Sequence, residues 1–271
     1  GNVGINSAST KIIFNDSNEK MIDLIEFIKE TNTDILLKHI DDIIDEYGLS
    51  NTALYGYSYY DCNSIRGLAK YNKEGFLKLR NAFNAKIITG ETDYLMLYVL
   101  MVFSFNNQIR FNKKGLFNLP VGKRDFNSKM RSKLVLFSEE LKSKDAQFMR
   151  KDFRDISLDD FSRETFIYCD PPYLITNATY NENGMWTEIE EKALLQFLDA
   201  ANAKDFSFAL SNVLVSKNNR NEILCNWIEN RGYYCHYLNK SYSNSNYHRK
   251  NKNSISEEVL ITNYPVNGRN Q

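Results

Sequence analysis

Cysteine, histidine and net charge are the scarce things in this sequence, and each scarcity removes a class of explanation. The 271 residues hold four cysteines (Cys62, Cys169, Cys225 and Cys235), none in a C-x-x-C pair, and three histidines, His39, His236 and His248. That spacing supplies neither a zinc-binding set nor a disulfide framework, so no metal is expected. The 34 basic and 34 acidic residues cancel. A protein that attracts polyanions through its overall charge would be basic, so any such contact must come from a local patch. No apolar stretch approaches the roughly 20 residues of a membrane helix. No signal-like segment opens the chain either, which predicts a cytoplasmic protein with no membrane contact. What remains is ordinary for a globular protein, 42% hydrophobic and 25% charged. The length suits one large domain or a domain plus an insertion.

The stretch that carries most chemistry begins with Thr165-Phe166-Ile167-Tyr168-Cys169, a short β-branched and aromatic run that predicts a buried strand. Asp170-Pro171-Pro172-Tyr173 follows at its carboxyl end, where open α/β sheets place their ligands. These residue types suit a flat group that bears an amine. The Asp170 carboxylate accepts one N–H, the Pro171 carbonyl accepts the other, and the Tyr173 ring stacks on the heterocycle. The same tetrapeptide also reads as an ordinary turn.

Other short runs repeat the placement. Thr10 to Phe14 predicts a strand followed by Asn15-Asp16, and Asp16 there can accept two ribose hydroxyls or cap the helix expected over Glu19 to Glu30. Ala146 to Met149 precedes Asp152-Phe153. Phe206 to Leu210 predicts a strand with Ser211-Asn212 at its end. Asp16, Asp152, Asp170 and Asn212 would then share one rim of a sheet. A helix over Glu188 to Ala201 and another near Asn221 to Asn230, with strands at Tyr234 to Leu238 and Glu258 to Thr262, complete the alternation. Trp186 reads as packing.

Between the first strands and the second set the rhythm changes. Helices are expected over Asp34 to Glu46, Lys73 to Asn84 and Thr92 to Phe103, and residues 51–70 read as a long surface loop rich in Tyr, Asn and Ser. From Gln108 to Lys133 eight basic residues (Arg110, Lys113, Lys114, Lys123, Arg124, Lys129, Arg131 and Lys133) face a single acid, Asp125. Asn112 to Gly115 suggests a hairpin turn within it, and a β-hairpin fits the major groove of DNA. A solvated basic face is the other reading. The segment 239–256, with Lys240, Arg249, Lys250 and Lys252 and no acid, would grip phosphate or cover a bound base.

Tyr168 to Leu174 resembles the catalytic motif of amino-group DNA methyltransferases, and the chain from end to end resembles the Dam-type adenine N6-methyltransferases. The resemblance implies an α/β fold: a Rossmann-like, S-adenosylmethionine-dependent sheet with an inserted, mainly helical DNA-recognition subdomain that carries a β-hairpin. It assigns residues 1–33 and 146–271 to catalysis and 34–145 to target recognition. Catalysis falls to Asp170, Pro171, Pro172 and Tyr173, and S-adenosylmethionine to Asp16, Asp152, Phe153 and Asp170. Double-stranded DNA falls to Phe105, Arg110, Asn112, Lys113, Lys114, Pro120, Lys123, Arg124, Arg249 and Lys250. Arg124 matches a guanine reader, Pro120 a contact near a thymine methyl, and Phe105 an aromatic wedge. The implied target is GATC, with a separately encoded restriction endonuclease as an expected partner. Gly1-Asn2-Val3-Gly4 resembles the second half of the family's glycine-rich motif. The preceding strand and an earlier Lys-containing segment do not appear in the sequence, so the cofactor crevice is expected to lack one wall. A DNA-binding module without catalysis, or methylation of cytosine N4, are the alternatives.

Overall fold

In a computed structural model the described residues are 2–176, 186–217, 219–238 and 256–266. They belong to two compact units, residues 1–152 and 153–271. Tyr180, Lys240, Arg249, Lys250 and Lys252 lie outside the described residues.

The first unit begins with one helical turn, α1 (Asn2–Ile5), and pairs β1 (Lys11–Asn15) in parallel with β2 (Asp145–Met149), from Lys11↔Asp145 to Asn15↔Met149. Between these strands the chain forms helices α2 (Glu19–Glu30), α3 (Thr33–Glu46), α4 (Thr52–Tyr55), α5 (Ala69–Ile88), α6 (Tyr94–Phe103) and α7 (Ser128–Ser143). Side chains set the starts of several of them. Asn32 Oδ1 accepts from the Asp34 and Ile35 amides to cap α3, Asp93 caps α6 through the Met96 amide, and Asn127 caps α7 through the Met130 amide. Each such cap contributes about 1 kcal/mol. Helix α6 is apolar almost all round, and α2, α3 and α5 pack against it. A helix of that kind has no face to give to water, so it becomes the centre of the bundle. Ile22, Ile28, Ile40, Ile44, Phe76, Phe83, Leu97 and Leu141 are buried in one continuous core around it.

Residues 51–70 are not the long irregular loop that their lack of periodicity predicts. They fold into α4, a 3-10 turn at Ser58–Tyr60 and the start of α5. Aromatic contacts replace the missing apolar stripe: the ring centres of Tyr55 and Tyr59, which stack, lie 4.7 Å apart, and the edge-on pairs Tyr59–Tyr60 and Tyr60–Tyr71 lie 5.0 Å and 4.6 Å apart.

The second unit contains β3 (Phe166–Cys169), α8 (Glu188–Ala203), β4 (Ser207–Ser216), the short β5 (Asn219–Arg220), α9 (Glu222–Arg231), β6 (Tyr234–Tyr237) and β7 (Ser256–Thr262). The sheet order is β3-β4-β7-β6, with β3 and β4 parallel and β7 antiparallel to both of its neighbours. Thr187 and Glu190 close a reciprocal capping box at the start of α8. Leu198 of α8, Phe208 and Leu210 of β4, Leu224 of α9 and Ile261 of β7 form the core between helices and sheet.

Two strands depart from expectation. β3 is not buried on both faces, since Phe166 is 49% and Tyr168 37% exposed. Among the described residues of its sheet it pairs only with β4, so it is an edge strand there. β4 does not stop at Leu210 but runs to Ser216, because Val213-Leu214-Val215 extends the β-forming sequence and β7 is long enough to pair with it through a bulge at Val213/Val215. Asn212 therefore lies inside a strand, not beyond its end.

Candidate active site and nucleic-acid interface

The register of β3 against β4 builds the acid site. Cys169 pairs with Leu210, so Asp170 leaves the strand beside Ser211 of the longer neighbour. The Tyr173 hydroxyl donates to Asp170 Oδ1 at 3.2 Å and lies 3.2 Å from Ser211 Oγ. A carboxylate has about four acceptor sites, so this bond leaves acceptor capacity on Asp170 for an incoming N–H. Burial raises the Asp170 pKa above the ordinary carboxylate range, with the Tyr173 hydrogen bond pulling the other way. Burial also pushes Tyr173 up to about 12, which keeps its hydroxyl protonated as a donor at neutral pH. Cys169 is pushed up to about 12 by burial and then by the Asp170 charge, so it is no thiolate nucleophile.

Behind this site stands a residue that the sequence pattern did not single out. Glu191 is fully buried on α8, where Oε2 accepts the Trp186 indole N–H at 2.8 Å. Its Oε1 accepts the amides of Asn221 at 2.9 Å and Asn212 at 3.3 Å. The signal was available: Glu191 falls on the stripe of Leu194, Leu195 and Leu198, and an acid on an apolar face implies a buried partner set. Trp186 in turn packs against Phe153, ring centres 6.1 Å apart, and Phe153 also meets Phe197 at 6.2 Å.

The first unit brings two further expected residues to one end of its strand pair. Asn15 and Met149 are the last paired residues, and Asn15 joins the two exits by accepting the Lys151 amide at 3.1 Å and donating to the Lys151 carbonyl at 3.0 Å. Asp16 and Asp152 are the next residues along each exit. One Asp16 oxygen accepts the Asn18 amide at 2.8 Å, which shapes the entry to α2. Asp16 is not the cap of α2, whose N-cap is Asn18 without a side-chain cap bond, because the Asp16 carboxylate stops at the Asn18 amide and does not reach the first helical turn.

The basic element 104–124 belongs to the same unit and is held mostly by irregular bonds. Its arms touch through two isolated antiparallel bridges, Ser104↔Val121 and Phe111↔Phe117, without a regular strand on either side. Asn112 Oδ1 accepts the Lys114 and Leu116 amides, and Arg110 Nε donates to Asn118 Oδ1 at 2.9 Å. These two side chains thus shape the turn, whereas Lys113 and Lys114 are exposed at its tip. At the other end Phe105 is half exposed, its amide bonded to the Pro120 carbonyl at 2.9 Å. The arms meet so closely that a Cβ on Gly122 would lie 2.2 Å from the Ser104 carbonyl oxygen, a distance that no side chain tolerates. Arg131, counted with the basic stretch, forms a two-bond pair with Asp41 instead. Lys123 and Arg124 are exposed at the base of the element.

Residues 1–253 match the family model described as D12 class N6 adenine-specific DNA methyltransferase. The chain belongs to this family. It is 38% identical over 269 residues to the type II methyltransferase M.FokI of Planomicrobium okeanokoites, which covers 97% of this chain and 37% of that protein. It is 36% identical, over the same shares of each chain, to the modification methylase StsI of Streptococcus sanguinis. Similarity to the DNA adenine methylase of Serratia marcescens is 26% over 67% of this chain and 57% of that protein. The chain thus spans a little over a third of its two more similar relatives. Among the described residues no three His, Cys, Asp or Glu side chains converge as a metal site would require, and no helix is long and apolar enough to cross a membrane.

Proposed function

We propose that this chain methylates adenine N6 within a short duplex DNA site, with S-adenosylmethionine as methyl donor. The observation that carries the reading is Asp170, exposed just past β3, bonded by a protonated Tyr173 and followed by the Pro171 carbonyl. An adenine amine is a weak nucleophile because its lone pair is delocalised into the ring. Hydrogen bonds from that amine to Asp170 and Pro171 favour a pyramidal nitrogen and aim its lone pair, so alignment supplies most of the assistance. Asp170 acts as an ionised acceptor. Inside a duplex the amine is out of reach, so the adenine must leave the stack, with the Tyr173 ring as its platform and Phe105 filling the gap.

The residues fit the donor. Asp16 suits the ribose hydroxyls, Asp152 the adenine amine and the Phe153 ring the adenine face, a set of acceptors and an aromatic matched to a nucleoside. When bound, S-adenosylmethionine supplies an electrophilic methyl group on a sulfonium. In this reading residues 1–33 and 146–271 carry catalysis and 34–145 carry target recognition. Arg124 meets a guanine edge, Pro120 a thymine methyl, and Lys113, Lys114 and Lys123 the backbone, together with Arg110, Asn112 and, from outside the described residues, Arg249 and Lys250. GATC is the site we propose, on the likeness of the basic element to the Dam-type hairpin. The description of M.FokI as a type II methyltransferase and of StsI as a modification methylase supports a paired endonuclease as partner.

The test is calorimetry with S-adenosylmethionine followed by nucleoside analysis of a methylated duplex library. Micromolar cofactor binding and N6-methyladenine at one recurring site support the reading. Duplex binding without cofactor binding points to a DNA-binding module, and N4-methylcytosine in the product points to the other amine.

A further inference from the structure

The tyrosine-rich segment 51–68 is fastened to the base of the basic element at several independent points. Asp125, fully buried, accepts the Thr52 amide and hydroxyl, both at 2.7 Å, and the Ser50 hydroxyl at 3.2 Å. The Leu68 amide donates to the Lys123 carbonyl at 3.1 Å. Gly67 passes so near that a Cβ there would lie 2.7 Å from Lys123 Cβ and 2.8 Å from its carbonyl oxygen, with φ at +71°. Between these anchors Arg124 Nη1 donates to the Ser64 carbonyl at 3.3 Å and to the Tyr57 hydroxyl at 3.5 Å. The segment is itself braced: Tyr60 Oη accepts the Asn51 amide at 2.7 Å, and Asn63 Oδ1 accepts the Ile65 and Arg66 amides, which closes a turn around Ser64.

We infer that segment 51–68 is a specificity-determining part of the DNA-reading surface, with the Tyr57 hydroxyl and the Ser64 carbonyl acting as positioning groups that orient the Arg124 guanidinium. The inference rests on the reading that Arg124 meets a guanine. A guanidinium can address the guanine O6/N7 pair only with two parallel donors in one plane. Holding Nη1 from behind leaves the Nε and Nη2 edge for the base, and among the described residues that edge carries no hydrogen bond. An exposed arginine otherwise loses much rotamer freedom on binding, and prior orientation reduces that cost. The arrangement also explains why a segment without apolar periodicity is ordered at all: its bonds serve the residue it holds.

The test uses the full chain and the duplex that it selects from a randomised library, with each guanine replaced in turn. Tyr57→Phe keeps the ring and removes one acceptor. It should lower discrimination at the single guanine that depends on Arg124 by about tenfold, the worth of a hydrogen bond to a charged group. Affinity for random duplex, its salt dependence and Tm should stay unchanged. With Arg124→Ala in the background, Tyr57→Phe should add nothing. Wild-type discrimination in Tyr57→Phe alongside loss in Arg124→Ala would overturn the inference and leave the guanine reading standing. An equal loss on all duplexes, or a lowered Tm, would make Tyr57 a structural brace and overturn it as well. Unchanged discrimination in Arg124→Ala would remove the guanine reading and the inference together.

Discussion

The surface around Asp170 and the surface around Arg124 are built by opposite means. Strand register carries the first: Cys169↔Leu210 delivers Asp170 to Ser211 with no special loop chemistry. Side-chain bonds to backbone carry the second, with two isolated bridges where strands were expected. Yet each rests on a fully buried carboxylate, Glu191 in one unit and Asp125 in the other. Both of these acids have several donors, as a buried charge requires. Asp170 differs from them. It is exposed, has one hydrogen-bond donor among the described residues and carries a raised pKa. Acids that hold the frame are saturated, and the acid proposed for chemistry keeps capacity in reserve.

The sharpest break between the two surfaces comes from Asp170→Ala. Methyl transfer should be abolished while duplex affinity stays within a factor of about two, because Asp170 touches only the extruded base in the proposed mechanism. A parallel fall in duplex binding would make Asp170 a structural residue. Next in size is Glu191→Ala, which leaves the Trp186, Asn212 and Asn221 donors without their acceptor inside the second unit. A cost of about 3 kcal/mol is expected, from two or three buried polar groups left unsatisfied, and chemical denaturation should register it. A change under about 1 kcal/mol would mean that water replaces the carboxylate easily.

Smaller again is the effect expected at the reading surface. Arg124→Ala should relax discrimination at one guanine by about 1 to 3 kcal/mol, whereas Lys113→Ala and Lys114→Ala should weaken all duplexes alike and reduce the salt dependence. Equilibrium binding at two salt concentrations separates the two kinds of residue. Equal losses on specific and random duplexes for Arg124→Ala would remove it from the base-reading set.

The two surfaces were also unequally legible in sequence. Asp170 was visible because a β-branched run followed by Asp-Pro-Pro fixes both a strand and its end, and residues four or five apart suffice to see it. α2 was visible from its apolar spacing over Glu19–Glu30. The extension of β4 past Leu210 was not, because Ser211-Asn212 looks like a strand exit until β7 is known to pair beyond it. Residues 51–70 were the least legible. Their order comes from partners far along the chain, Lys123, Arg124 and Asp125, and from tyrosine ring contacts that follow no helical or strand period. Tertiary contacts at such separations leave no local pattern to read.

The finest distinction between the acid of the site and the acids of the frame concerns stability against pH. Burial raises the folded-state pKa of Asp170 above its unfolded value, so the ionised folded form is penalised. Proton uptake on folding follows, and the penalty is fully present above the folded pKa. It shrinks as pH falls through that pKa and vanishes below the unfolded pKa near 4, a reference value of about 3.9. Asp170→Asn removes the charge and keeps an oxygen for the Tyr173 hydroxyl. The variant should therefore lose methyl transfer and yet melt slightly higher than wild type at pH 7, with the two Tm values converging at pH 4. In the wild type the same raised pKa should place the acid limb of methyl transfer above that of an ordinary aspartate, since only the ionised form accepts both roles. A lower Tm for Asp170→Asn at pH 7 would show that the carboxylate is stabilised by its surroundings, and Asp170 would then belong with Asp125 and Glu191 as part of the frame.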